Sequence, residues 1–193
     1  MRTICVYCGS NPGNRSEYAA AAQALGRLLV DEGIRLVYGG GRVGLMGVIA
    51  EAVMAAGGEA IGIIPAALDR REIAHRGVTE LRIVGSMHER KALMNELSDG
   101  FIALPGGFGT FEELCEMLTW SQLGIHDKPV GLLNVTGFYD PFLRLLDHAV
   151  AERFLHPDHR SLLLSDIDAL TLLDRMRAFV PPATPKWLDQ GEE

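Results

Sequence analysis

Three cysteines in 193 residues form no even set, so the chain offers no disulfide framework and fits a reducing compartment. Lysine is as scarce: only Lys91, Lys128 and Lys186 occur. Basic residues are outnumbered, 18 Lys and Arg against 25 Asp and Glu, for a net charge of −7. A broad nucleic-acid surface would be basic, so no nucleic-acid partner is expected. A phosphate can still be held where a few cations and N–H groups converge. No apolar run is long enough to cross a membrane, and none is expected to engage one. Met1-Arg2-Thr3-Ile4 runs straight into a strand pattern without a leader's charged, apolar and cleavage regions, so the cytoplasm is the expected location. Repeats and low-complexity tracts are absent as well.

What remains is an ordinary globular composition, 48% hydrophobic and 22% charged, long enough to bury a substantial core. One domain over residues 1–180 is expected. Pro181-Pro182-Ala183-Thr184-Pro185 ends the last helix and opens a surface tail, 181–193. Strand patterns fall at 3–7, 35–38, 60–64, 81–84, 100–104, 130–133 and 162–164. Helical periodicity covers 16–32, 45–56, 87–97, 111–123, 141–153 and 167–179. Strands alternating with helices predict an α/β fold: a doubly wound, mostly parallel, Rossmann-like sheet of about seven strands. Ligands of such sheets bind at the carboxyl ends of the strands. Residues 65–77 read as the longest irregular loop, where function often resides.

The most informative stretch is Pro105-Gly106-Gly107-Phe108-Gly109-Thr110-Phe111-Glu112-Glu113, which follows the apolar run Phe101-Ile102-Ala103-Leu104. Three glycines between a strand and a helix let backbone N–H groups close on an anion, and the helix dipole favours negative charge there. A carboxylate pair in the same turn puts acid/base chemistry beside the phosphate. Thr110-x-x-Glu113 is also a capping box, so Glu113 reads equally as cap or catalyst.

Other motifs weigh less. Gly39-Gly40-Gly41-Arg42-Val43-Gly44 matches G-x-G-x-x-G, but it follows the second strand, and Glu59 begins the next strand where a ribose-binding acid would end it. A mononucleotide phosphate fits this turn better than a dinucleotide. No G-K-[ST] follows. Cys5 and Cys8 lie in the first strand on opposite faces, as structural cysteines. His88-Glu89 lacks the second histidine of a zinc helix because position 92 is Ala, and the other histidines show no ligand spacing, so no metal is expected. Ser86-x-x-Glu89 is a helix-starting box, which leaves Arg90 and Lys91 as a solvated pair or as a phosphate-directed one. Met46, Ile49, Ala50, Val53 and Met54 read as core at helical spacing, and Trp120 and Leu123 as core or as a partner surface.

The glycine segment resembles the PGGxGTxxE signature of the LONELY GUY family of cytokinin riboside 5'-monophosphate phosphoribohydrolases, once labelled lysine decarboxylases. Met87-His88-Glu89-Arg90-Lys91 resembles that family's second motif in the same order and spacing. Cys5-Val6-Tyr7-Cys8-Gly9-Ser10, Tyr38-Gly39-Gly40-Gly41 and Thr119-Trp120-Ser121-Gln122-Leu123-Gly124-Ile125 extend the resemblance over nearly the whole chain. The resemblance implies hydrolysis of the N-glycosidic bond of an N6-modified adenosine 5'-monophosphate, without a cofactor. It implies Glu113 and Arg90 as catalytic residues, with Lys91 and Glu112 beside them. Gly106, Gly107, Phe108, Gly109 and Thr110 would hold the 5'-phosphate, flanked by Ser10, Gly41 and Arg42, with Phe111 a further substrate-binding residue. Glu72 would meet the base, Thr119 would line the pocket, and a homodimer is implied. A non-hydrolytic nucleotide sensor or carrier is the alternative; retention of both Arg90 and Glu113 speaks against it. Decarboxylation ordinarily needs a pyridoxal Schiff base, and Lys91 already belongs to the second motif.

Overall fold

The structure, a computed structural model, describes residues 1–69 and 74–182. Seven strands form one sheet: β1 (Thr3–Tyr7), β2 (Arg35–Tyr38), β3 (Ala60–Pro65), β4 (Glu80–Val84), β5 (Gly100–Ala103), β6 (Val130–Leu133) and β7 (Leu163–Asp166). Their order is β4-β3-β2-β1-β5-β6-β7, and every neighbouring pair is parallel. Parallel neighbours need crossovers, and these are mostly helical: α1 (Ser16–Asp31), α2 (Gly44–Ala55), the short α3 (Ala66–Asp69), α4 (Met87–Leu97), α5 (Phe108–Leu123), α6 (Asp140–Ala151), the short α7 (Pro157–Arg160) and α8 (Ala169–Arg177). The chain therefore winds outward from β1 to β4 and returns to β5 on the other side of β1. That reversal makes the β1/β5 pair the switch point, where a doubly wound sheet opens a crevice.

Both sheet faces are covered, which is why β1 and β5 are buried throughout and apolar at every position but Thr3. Ile4, Val6 and Cys8 pack with α1, α2 and α8; Cys5 and Tyr7 pack on the opposite side with α4, α5 and α6. The two cysteines thus lie on opposite faces, as period 2 requires. Ile49, Ala50 and Val53 are buried, with Met46 and Met54 partly buried against them, so the α2 stripe is core. At the outer edge, Glu80 and Arg82 of β4 pair at 2.7 Å, and this exposed charge discourages edge-to-edge association.

Several boundaries differ from the sequence expectation, and one difference matters. Helix α5 starts at Phe108, not at 111, with Gly107 as its N-cap. A first turn needs no acceptor upstream, so Gly109 does not delay the helix. The stretch 65–77 is not irregular throughout: Pro65 completes β3, α3 follows directly, and Ala74 bridges Gly41. Residues 70–73, including Glu72, and 183–193 of the tail lie outside the described residues. The last strand runs Leu163–Asp166 rather than 162–164, and α8 spans Ala169–Arg177 rather than 167–179. The short helix α7 carried no periodic signal at four residues.

Candidate active site

The loops leaving β1 and β5 meet at the switch point. The N–H of Gly9 donates to the Pro105 carbonyl at 3.0 Å, and the N–H of Leu45 donates to the Gly9 carbonyl at 2.9 Å. Three loop ends are thereby tied together beneath a cavity of about 180 Å³. Its walls include Gly9 to Gly13, Gly106, Gly107, Leu45, Tyr18 and Phe138. No side chain caps the N-terminus of α5. The first-turn N–H groups of a helix have no intrahelical acceptor, and with the dipole they form a ready anion site. Gly106 must be glycine, because a Cβ there would lie 2.1 Å from the Thr110 hydroxyl oxygen. Thr110 is buried beside it.

One turn further along α5, side chains take over. Glu113 is 7% exposed and Arg90 8%, and a guanidinium Nη2 of Arg90 stands 3.0 Å from a Glu113 carboxylate oxygen. The guanidinium passes so close to Gly39 that a Cβ there would sit 2.2 Å from Nη2. Glycine directly after β2 thus admits the Arg90 guanidinium. Met87 Sδ lies 3.7 Å from Nη1, and Nε is buried with no hydrogen-bond partner among the described residues. Burial pushes the Glu113 carboxyl up to about 7, with Arg90 pulling against it and Glu112 adding to the rise. A carboxyl near neutrality is suited to accept a proton at physiological pH.

Two sequence alternatives are decided here. Because α5 begins three residues earlier than expected, Glu113 is in its second turn and pairs with Arg90, so it is not the helix cap. Arg90 and Lys91 are buried rather than solvated. By contrast, the Ser86 box forms: its hydroxyl accepts from the Glu89 N–H at 3.1 Å, and Glu89 accepts from the Gly85 N–H at 2.7 Å. The cap fixes where α4 starts, and therefore which residues, Arg90 and Lys91, face α5.

Lys91 is held by Glu112 and by Glu116, the latter at 2.9 Å. Ser10 and Gly107 share the cavity lining, while Gly41 is buried and bridged to Ala74. Phe108, the first residue of α5, is 93% exposed. Phe111 is partly buried in an aromatic group with Phe138, Tyr139 and Phe142. Thr119 donates its hydroxyl to the Cys115 carbonyl at 2.7 Å and is not joined to the Arg90–Glu113 pair. Sequence reasoning passed over Tyr18, Phe138 and Glu116. The Asn11-Pro12-Gly13 turn after β1 was a usable signal for the first; Phe138 carries none, because only the return of the chain after β6 brings it to the crevice.

A doubly wound sheet with an uncapped, glycine-lined helix N-terminus at its switch point and a buried acid–guanidinium pair on the same helix places this chain in the Rossmann-like α/β class. Comparison with known proteins narrows the class. Residues 46–176 match the family described as "Possible lysine decarboxylase". The cytokinin riboside 5'-monophosphate phosphoribohydrolase LOG of Oryza sativa subsp. japonica is 54% identical over 181 residues, covering 94% of this chain and 75% of that protein. LOG2 of Arabidopsis thaliana, of the same description, is 53% identical over 94% of this chain and 85% of its own. The chain belongs to this LONELY GUY family. Among solved structures, the molybdenum cofactor carrier protein of Chlamydomonas reinhardtii superposes with TM-score 0.68 at 21% identity, over 92% of this chain and 99% of that one. The molybdenum cofactor binding protein of Rippkaea orientalis gives 0.69 at 22%, over 92% and 96%. At that identity they share the fold alone.

Proposed function

We propose that this protein is a cytokinin riboside 5'-monophosphate phosphoribohydrolase, cleaving N6-modified adenosine 5'-monophosphates to free base and ribose 5-phosphate. The observation that carries the reading is the buried Arg90–Glu113 pair one turn beyond an uncapped helix N-terminus, in a chain more than half identical to rice LOG. The 5'-phosphate sits on the first-turn N–H groups of α5 with the Thr110 hydroxyl, flanked by Ser10 and Gly41. This anchors the ribose so that C1' comes beside the Glu113 carboxylate. Glu113 accepts a proton from water as the water oxygen bonds to C1'. The C1'–N9 bond breaks, its electron pair leaves with the base, and the base takes up a proton. Arg90 holds the ribosyl unit with the donors that Glu113 leaves free. Glu72 is assigned to the base, and Thr119 to the lining of the pocket. The carboxylate also stabilises the positive charge growing on the ribosyl centre.

No helix among the described residues is long and apolar enough to cross a membrane. We place the enzyme in the cytoplasm as a homodimer, with residues 1–180 as its working domain. Leu123 and Ile125, exposed by 42% and 60% at the end of α5, support self-association.

The deciding experiment incubates the pure protein with isopentenyladenosine monophosphate and with AMP, and quantifies base and ribose 5-phosphate. Equimolar products from either substrate are expected. A folded, nucleotide-binding protein that releases no base from either would replace the enzyme with a carrier.

A further inference from the structure

Glu116 is used by no step above, yet it is placed against the reacting pair. Its side chain is 22% exposed, one oxygen stands 2.9 Å from the Lys91 ammonium, and its other oxygen is buried with no hydrogen-bond partner among the described residues. Lys91 is itself nearly buried and also binds Glu112, four residues before Glu116 and so on the same face of α5. Lys91 adjoins Arg90 on α4, and Glu112 adjoins Glu113 on α5. The Lys91 clamp therefore fixes the two helices at the level where Arg90 must meet Glu113. A carboxylate with an unsatisfied buried oxygen costs stability, and the offsetting contact is the ion pair with Lys91.

We infer that Glu116 is a positioning residue: through Lys91 it sets the spacing of α4 against α5 and the charge around the Arg90–Glu113 pair. The inference rests on the hydrolase reading. The charged groups facing Glu113 are Arg90 and Lys91 from α4, and Glu112 and Glu116 from α5. Cys5 and Tyr7, on the β1 face that packs against α4 and α5, and Cys8 just beyond the strand are neutral neighbours, their ionisation pushed up by burial. Glu116 disfavours a second negative charge at Glu113 directly, and it also neutralises the lysine that would otherwise favour that charge. Both effects act in one direction.

The test is the pH profile of kcat/KM for wild type, Glu116→Gln and Lys91→Gln. Activity needs ionised Glu113, so the profile has an acid limb. Glu116→Gln moves that limb to lower pH and Lys91→Gln moves it to higher pH, each by roughly half a unit or more, as charges at this range do in a partly buried site. Glu116→Gln also lowers kcat several-fold with KM nearly unchanged. Glu89→Ala, which removes the side-chain bond to the Gly85 N–H at the start of α4 and none of the charges acting on Glu113, lowers Tm without moving the limb. The Glu113 carboxyl is followed in parallel by 13C NMR titration, which reads the same shifts without turnover. That readout judges the positioning role even if the wild type releases no base, an outcome that would overturn the hydrolase reading instead. Superimposable titrations in the three proteins, or shifts of one sign, would overturn the role of Glu116. If Glu116→Gln fails to fold, Glu116→Asp, which keeps the charge but shortens its reach to Lys91, takes its place, and a kcat and acid limb identical to wild type would overturn the positioning role.

Discussion

Two glycine-rich turns leave this sheet, one after β2 and one after β5, and each feeds a helix. In the first the glycines are demanded by packing. Gly40 and Gly44 have φ of +72° and +62°, and a Cβ on Gly44 would lie 2.2 Å from the Ser10 carbonyl carbon. A Cβ on Gly47 would meet the Arg42 carbonyl oxygen at the same distance. In the second turn Gly107 and Gly109 have neither positive φ nor any atom within 4 Å of where a Cβ would stand. Nothing in the fold asks for glycine there. The open space in front of them is where the proposed function seats the substrate phosphate. The same residue type thus builds a closed turn in one place and an open cradle in the other.

The comparison is broken most severely through the acid beside the open turn. Glu113→Gln keeps size and a polar contact to Arg90 but removes the charge, so turnover should fall by roughly two to four orders of magnitude. An active Glu113→Gln enzyme in a base-release assay would move the catalytic acid elsewhere, with Glu112 first in line. Removing the phosphate from the substrate should cost at least about a hundredfold in kcat/KM, because binding energy at the cradle orients the ribosyl centre. Equal rates with riboside and ribotide would leave the open turn without its occupant.

The same acid predicts a pH dependence of stability. The folded value of about 7 lies above the ordinary carboxyl value of 4.5, so the folded protein holds this proton more tightly than the unfolded chain. The group's penalty is absent below about pH 4.5, grows as pH rises, and is complete above about 7, where it amounts to at most about 3 kcal/mol. Wild type should therefore lose Tm relative to Glu113→Gln between pH 5 and pH 8 in calorimetry. A constant difference across that range would mean that Glu113 titrates normally.

Smaller effects sharpen the contrast between the turns themselves. Gly44→Ala should destabilise by about 2 kcal/mol or more, from left-handed strain and collision with Ser10, a Tm loss of roughly 4–8 °C for a chain of this size. Gly109→Ala should instead raise stability by up to about 1 kcal/mol, as alanine does within a helix, while weakening AMP binding about tenfold. A Gly109→Ala protein that binds AMP normally would show the space to be idle.

Much of this was legible beforehand. Apolar runs and helical stripes predicted seven strands in an α/β sheet, because burial on both faces forces apolar strands and amphipathic helices. The Ser86 box marked the start of α4 within one residue, since a cap is a local hydrogen bond. The start of α5 was misplaced because a glycine-rich first turn looks the same whether it is loop or helix until the chain is folded.

The sequence by itself determined the strand–helix alternation, the glycine cradle and the family, since these depend on spacing and side-chain type along the chain. Tertiary structure alone decided that Glu113 faces Arg90 rather than capping its helix, that Lys91 is clamped by Glu112 and Glu116, and that β1 and β5 share the switch point. Those are contacts between elements far apart in sequence. Their consequence, a carboxyl raised toward neutrality, comes from burial that no local pattern records.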